Sequence, residues 1–231
     1  MRLADTPVPA RAGGDAVQAG TVPAGSVPAG TEPAAGAEPA FAAAVAALEA
    51  GRDEVAEVRD DLVFEDHPAP KRLAPHAAAL MVTAYRDGEE AGTARLVLLH
   101  DPGGQDGWTG TFRVVAQVHA DVEEEMAADP LLGEVGWSWL TDALDLHAPG
   151  YAAPSGTVTR VITEGYGAKS DDPPATGFEL RASWCPADDG DGDEIAAEIG
   201  GAVAAWCELL AAAAGLPAAG TLAIGGRRRR R

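Results

Sequence analysis

Apolar residues recur at helical spacing in three parts of the chain. The first part follows Pro39, and Gly51 interrupts it, so the pattern alone leaves open one helix or two. The second follows Asp129 and Pro130, a capping residue and a proline suited to a first helical turn. The third is followed by Gly215, a residue typical of helix ends. The apolar stripes of these helices are Phe41, Val45, Leu48, Val55 and Leu62; Leu132, Val135, Trp139, Ala143 and Leu146; and Ile195, Ile199, Val203, Trp206 and Leu210.

Five other segments are predicted to be strands, and in Thr111 to His119 apolar and polar residues alternate as in a strand that buries one face. Asp87 to Gly92 is a turn-rich connector between the first two segments, and it indicates an antiparallel hairpin. A short helix is predicted from Asp121, because three glutamates follow at positions that favour a helix N-terminus. The predicted strands are Leu80 to Arg86, Arg95 to His100, Thr111 to His119, Gly156 to Glu164 and Gly177 to Cys185.

The order of these elements predicts an α+β fold. Helices and strands occur in separate blocks, and consecutive strands form hairpins. We therefore expect a mainly antiparallel sheet of about five strands with the helices packed on one face. Residues 67–75 contain three prolines and are predicted to be an extended loop.

The composition changes at both ends of the chain. Residues 1–38 are mainly Ala, Pro, Gly and Thr with a short imperfect repeat, and they cannot bury enough apolar surface to offset the entropy of ordering. We predict a disordered arm there, a single α+β domain over residues 39–217, and a flexible tail over residues 218–231. The tail ends in Arg227, Arg228, Arg229, Arg230 and Arg231.

Composition and charge then exclude several classes of protein. The 231 residues are 46% hydrophobic, which is enough for a buried core. No apolar run approaches the roughly 18–20 residues of a membrane span, and no apolar segment follows Arg2 as in a secretory signal, so we expect a cytoplasmic protein without membrane contact. The formal net charge is −19, from 17 basic and 36 acidic residues. This negative field would repel the phosphates of a nucleic acid.

The arginine run at residues 227–231 conceals part of that acidity. Without these five arginines, the chain keeps 12 basic residues against 36 acidic ones. The run is therefore the one place where a polyanion such as RNA could bind, although an inert tail is the simpler interpretation. It could also fold back on the acidic domain.

The segment from His100 to Trp108 is the most suggestive candidate site. It combines an imidazole, the Asp101 carboxylate, glycine-rich backbone amides and the Gln105 amide at the end of a predicted strand. A general base with an orienting acid, or a small anion-binding loop, would use such groups. The alternative is an ordinary turn in which Asp101 supplies turn chemistry. Trp108 stands in a polar, Gly-rich stretch and is a candidate for partner contact.

Other candidate chemistry is weaker. His119 could join His100 and Asp101 in a catalytic group, and a metal held by His100, His119 and Asp121 is conceivable, but the spacing does not require one. Cys185 and Cys207 have no CxxC spacing and are predicted to be reduced core residues. We therefore predict no metal site and no cofactor.

Seven longer motifs occur in order between residues 40 and 217. They are RLAP (72–75), LVLLHDPGGQ (96–105), EMAADPLL (125–132), VGWSWL (135–140), GTVTR (156–160), LRASW (180–184) and AWCELL (205–210). Together they resemble a conserved actinobacterial family, the domain of unknown function numbered three thousand. The resemblance implies an intracellular bacterial protein, and the location of family genes near a ribonuclease of the D type implies a link to RNA metabolism. It implies no activity, cofactor or catalytic residue.

The sequence therefore supports one leading hypothesis about function and two alternatives. The leading hypothesis is a non-catalytic binding or regulatory module that contacts a protein or small molecule through His100, Asp101, Gln105 and Trp108. The first alternative is a hydrolase acting on a phosphorylated or nucleotide substrate with His100, Asp101 and His119. The second is an RNA-associated protein that binds through the arginine run.

Overall fold

A computed structural model describes residues 37–171, 174–187 and 192–218. The described residues form a six-stranded antiparallel sheet and four α-helices, which confirms the α+β prediction. In chain order the elements are α1 (Ala37–Val58), β1 (Leu62–Asp66), β2 (His76–Arg86), β3 (Glu89–His100), β4 (Phe112–Asp121), α2 (Glu124–Ala128), α3 (Leu132–His147), β5 (Ala152–Thr163), β6 (Ala175–Cys185) and α4 (Gly192–Ala213), with a short 3₁₀ helix at Gly167–Lys169.

The sheet has six strands rather than the five expected. The additional strand is β1, and its first residue, Leu62, had been assigned to the apolar stripe of the first helix. That helix continues unbroken through Gly51 and ends at Val58, so Leu62 instead pairs with Ala84 of β2. Leu62 satisfies helical and strand spacing alike, and only pairing with β2 decides between them.

The strands are arranged in the order β1-β2-β3-β4-β6-β5. The tight turn between β2 and β3 consists of Asp87 and Gly88, whose φ angles are 56° and 87°. Two residues with positive φ are typical of a type I′ turn, whose twist matches that of a hairpin. Asp87 and Gly88 therefore determine the geometry of this hairpin.

All the long helices lie on one face of the sheet. Alternate strand residues on that face are buried, among them Leu98, Val118 and Leu180. The central helix is α4, which contacts β2, β3 and β4 and is flanked by α1 and α3. Trp206 of α4 is fully buried between the helices and the sheet.

The helix α4 is more apolar than the sequence interpretation allowed. Its 22 residues, Gly192–Ala213, are long and apolar enough to cross a membrane by length and composition, with a mean hydropathy of 1.5. However, 56% of the 18-residue apolar window within α4 is buried inside the domain. This is the behaviour of a core helix, and the composition of α4 is explained by its position between two other helices and the sheet.

The other face of the sheet carries no helix among the described residues. At one end of this open face, Val97 and Leu99 are nonetheless buried. On the same face, Arg95 donates a hydrogen bond from Nη2 to the carbonyl oxygen of Pro68 over 3.1 Å, which joins the proline-rich loop to β3. The remainder of the open face carries polar side chains such as His119 and Arg181 together with apolar ones such as Met81 and Val115.

Candidate functional site

His100 is a core residue at the end of β3. Its side chain is 2% exposed and faces the helices. The imidazole stacks on Phe112 with 4.2 Å between ring centroids, and it lies parallel to the ring of Phe41 of α1 at 6.0 Å. His76 lies 5.6 Å away on the other side of the same cluster. His100 therefore contributes aromatic packing and has no direct access to a substrate in solvent.

Asp101 and Gln105 stabilise the turn that follows β3. The Asp101 carboxylate accepts hydrogen bonds from the backbone N–H of Gly103 and from the Gln105 side-chain amide, each at 3.0 Å. The same amide nitrogen also donates to the carbonyl oxygen of Leu73 in the proline-rich loop over 3.0 Å. Trp108, the fourth residue predicted for partner contact, has a partly exposed side chain.

His119 does not approach His100. In the register of β3 and β4, Phe112 pairs with His100 whereas His119 pairs with Thr93, seven positions away along β3, or roughly 23 Å. His119 also points to the open face, where it is 45% exposed and lies 3.9 Å from both Asp121 and Glu179. The cleft that the hydrolase hypothesis requires between these two histidines therefore does not form.

The structure also bears on metal ligands and on the arginine run. Within residues 37–171, 174–187 and 192–218, no group of three or more His, Cys, Asp or Glu side chains is arranged to hold a metal ion. Arg227 to Arg231 lie outside the described residues, so their predicted contact with a polyanion stays a prediction.

Both cysteines are buried and unpaired by a disulfide. Burial also raises the pKa of the Cys207 thiol, so this group stays protonated. Because the thiolate is the reactive form, we expect a thiol reagent such as DTNB to modify neither Cys185 nor Cys207 in the native protein within minutes. Both should react after unfolding in guanidinium chloride. Rapid modification of the folded protein would contradict the burial.

A groove on the outer side of the helices is a site that the sequence analysis did not identify. Its first part lies between α1 and α4 at the end of α3 and has a volume of about 420 Å³. Its second part lies between α3 and α4 and has a volume of about 300 Å³. Both parts include Arg59 and Glu208, and we call them together the helix-layer groove.

The groove combines carboxylates with apolar surface. Glu54, Asp142 and Glu208 line it. Val58 lines the first part and Leu146 the second, and each of these two side chains is 69% exposed. Apolar side chains this exposed are found at binding surfaces when they lie beside a concave region.

Close helix packing gives the groove its shape. The backbones of α1 and α4 approach so closely that a Cβ atom at Gly51 would lie 2.7 Å from the carbonyl oxygen of Gly200. Likewise, a Cβ at Gly201 would overlap the carbonyl oxygen of His147 at the end of α3. These glycines let the three helices meet without filling the surface between them.

The Arg59–Asp61 ion pair and the carboxylates on the walls determine the charge of the groove. The Arg59 side chain is 7% exposed and is held by both carboxylate oxygens of Asp61, at 2.7 and 2.9 Å. This contact lowers the pKa of Asp61 and raises that of Arg59. His147 Nε2 lies 3.2 Å from Glu208 Oε1. Since Asp61 neutralises Arg59, the carboxylates on the walls leave the groove negative.

The three long helices that form the groove are strongly acidic. The helices α1, α3 and α4 hold twelve carboxylates and a single arginine, Arg52. On the open face of the sheet, by contrast, Arg95, Arg113 and Arg181 lie together with three carboxylates, Glu65, Asp121 and Glu179. The carboxylates of the three helices are Glu38, Glu49, Asp53, Glu54, Glu57, Glu134, Asp142, Asp145, Asp193, Glu194, Glu198 and Glu208.

Comparison with known proteins assigns the chain to a family without assigning an activity. No curated protein and no solved structure shows significant similarity to the chain. A family profile described as a protein of unknown function, DUF3000, matches residues 37–222, which include every described helix and strand. The chain therefore belongs to the DUF3000 family.

Proposed function

We propose that the domain is a non-catalytic binding module that receives a basic segment of a partner protein in the helix-layer groove. The observation that carries the proposal is the row of Glu54, Asp142 and Glu208 beside exposed Val58 and Leu146. Lysine or arginine side chains of the partner would pair with the carboxylates. Apolar side chains of the same segment would enter the groove, as when an amphipathic helix binds between helices.

Long-range electrostatics supports the same choice of partner. Twelve carboxylates on three helices create a negative field that attracts a cationic segment and accelerates its association. The same field opposes a nucleic acid at this surface, because phosphates would be repelled. The proposal thus places the contact away from the turn at Trp108, which the sequence alone had favoured.

A charge reversal in the groove tests the proposal. Wild type and Glu208→Lys would each be used to capture proteins from native lysate, and a captured protein would then be purified and titrated by calorimetry. We expect Glu208→Lys to weaken binding at least about tenfold, since it places like charges opposite each other. Raising the salt concentration should weaken the wild-type complex as well.

Two matched variants locate the interaction. Glu134→Lys makes the same change at an exposed position of α3 outside the groove, so binding should be close to that of wild type. Trp108→Ala tests the turn after β3 and should also leave affinity unchanged. Loss of binding in Trp108→Ala with retention in Glu208→Lys would overturn the groove assignment.

A further inference from the structure

The described part of the chain ends inside the helix-layer groove. After α4, Gly215 adopts a positive φ of 66°, and the backbone N–H of Leu216 donates to the carbonyl oxygen of Ala211 over 2.8 Å. This turn directs the chain so that Leu216 and Ala218 line the part of the groove between α3 and α4. Residues 219–231, which lie outside the description, therefore continue from a wall of the groove itself.

We propose that the arginine run at residues 227–231 binds the helix-layer groove of its own chain and competes there with the basic partner. Charge complementarity is the first argument. Five consecutive guanidinium groups follow a groove lined by Glu54, Asp142 and Glu208. Arginine pairs with carboxylates through two parallel hydrogen bonds, and its planar group also packs on apolar surface.

The length of the segment fits this assignment. Arg227 is nine residues beyond Ala218, so an extended connection spans at most about 30 Å. Along α4, the groove extends from Ala197 to Ala212, or about 22 Å at the helical rise of 1.5 Å per residue. The arginine run can therefore reach either part of the groove.

The other surfaces of the domain are less suitable for the run. On the open face of the sheet, Arg95, Arg113 and Arg181 are balanced by Glu65, Asp121 and Glu179, so this face lacks the excess of negative charge that the groove has. A tethered segment also has an effective concentration in the millimolar range, so several individually weak ion pairs are sufficient for occupancy. The groove combines proximity to the tether with the required charge.

Competition with a partner rests on the proposed function, whereas binding of the run to the groove does not. An occupied groove would reduce the apparent affinity for the basic partner in proportion to the occupied fraction. The run would then regulate the module from within the same chain. Two separate measurements can therefore distinguish binding of the run from its consequence for a partner.

Paramagnetic NMR on the full chain tests the binding of the run. A nitroxide label would be attached at Gly226→Cys, which is feasible because Cys185 and Cys207 are 0% and 3% exposed. At low salt, we expect amide signals lining the groove in α1 and α4 to lose about half their intensity or more, and to recover at about 0.5 M salt through screening. Signals of β4 and β6 on the open face should keep their intensity.

Matched variants make the result specific. Replacing all five arginines with glutamine preserves the length of the tail and should abolish the broadening in the groove. Glu54→Gln with Glu208→Gln removes two of the three carboxylate charges of the groove and should greatly reduce it. Glu124→Gln with Glu125→Gln removes the same charge from exposed positions of α2 and should preserve it. Unbroadened groove signals in the labelled chain, or equal release by the α2 variant, would overturn the proposal.

A titration of the partner completes the test. If the run competes, the chain with glutamines at 227–231 should bind a groove-dependent partner at least about threefold more tightly than the wild type. Broadening without any groove-dependent partner would support binding of the run and contradict the proposed function. A groove-dependent partner with no broadening would support the proposed function and contradict binding of the run to the groove. Salt-sensitive binding of RNA by a run that does not bind the groove would favour the RNA-associated alternative.

Discussion

Gly201→Ala is expected to lower the free energy of unfolding by about 3 kcal/mol, because the new methyl group has no space where α4 meets the end of α3. The atom it would overlap is the backbone carbonyl oxygen of His147, which cannot rotate away as a side chain can. Relief requires α3 and α4 to separate, and that movement disturbs the packing around Trp206 and Leu144. Urea unfolding followed by circular dichroism measures the change.

Gly133→Ala is the matched control for that prediction. Gly133 lies near the start of α3, and a Cβ built there meets nothing within 4 Å. Alanine should therefore stabilise the protein by about 0.5 kcal/mol, through its higher helix propensity. If Gly201→Ala unfolded at the same urea concentration as Gly133→Ala, the result would contradict the close approach of Gly201 to the carbonyl oxygen of His147.

Asp61→Asn is expected to lower the free energy of unfolding by about 2 kcal/mol at pH 7, because it leaves the buried Arg59 without its carboxylate partner. Hydrogen bonding to Arg59 lowers the pKa of Asp61 in the folded protein. The stabilisation from Asp61 is therefore complete above the ordinary aspartate pKa of about 4 and is lost as the pH falls through the lowered folded value. The difference between wild type and variant should accordingly shrink in acid.

Unfolding curves from pH 3 to pH 7 test this linkage. Asp60→Asn provides the control, since it makes the same chemical change at the adjacent exposed position. We expect Asp60→Asn to remain within about 0.5 kcal/mol of wild type throughout. A destabilisation by Asp61→Asn that is the same at pH 3 and pH 7 would contradict a charge pair between Arg59 and Asp61.

Local signals in the sequence predicted much of the fold. The Asp87-Gly88 turn was predictable because two adjacent residues that tolerate positive φ are sufficient to form it. The strand β4 was predictable because its alternating residues bury one face of the sheet. The strand β1 was missed because Leu62 also continues the apolar spacing of α1. Such ambiguity is removed by a partner strand, and the partner here lies about twenty residues along the chain.

The candidate site was less predictable than the fold. The sequence places His100 and Trp108 in a polar, Gly-rich context, but burial against Phe41 and Phe112 decides what His100 does. The signal that could have indicated the groove is the excess of acidic residues in the predicted helices. Glu54 and Glu208 are separated by more than 150 residues, so local pattern cannot bring them together.

The sequence by itself determined the α+β class, the hairpin at Asp87, the acidity of the domain and the arginine run. These depend on composition and on neighbours within a few residues. Only the tertiary structure decided that His100 and His119 lie on opposite faces of the sheet, and that three helices enclose an acidic groove. The physical reason is that strand register and helix packing depend on contacts between distant segments, including the close approaches at Gly51 and Gly201.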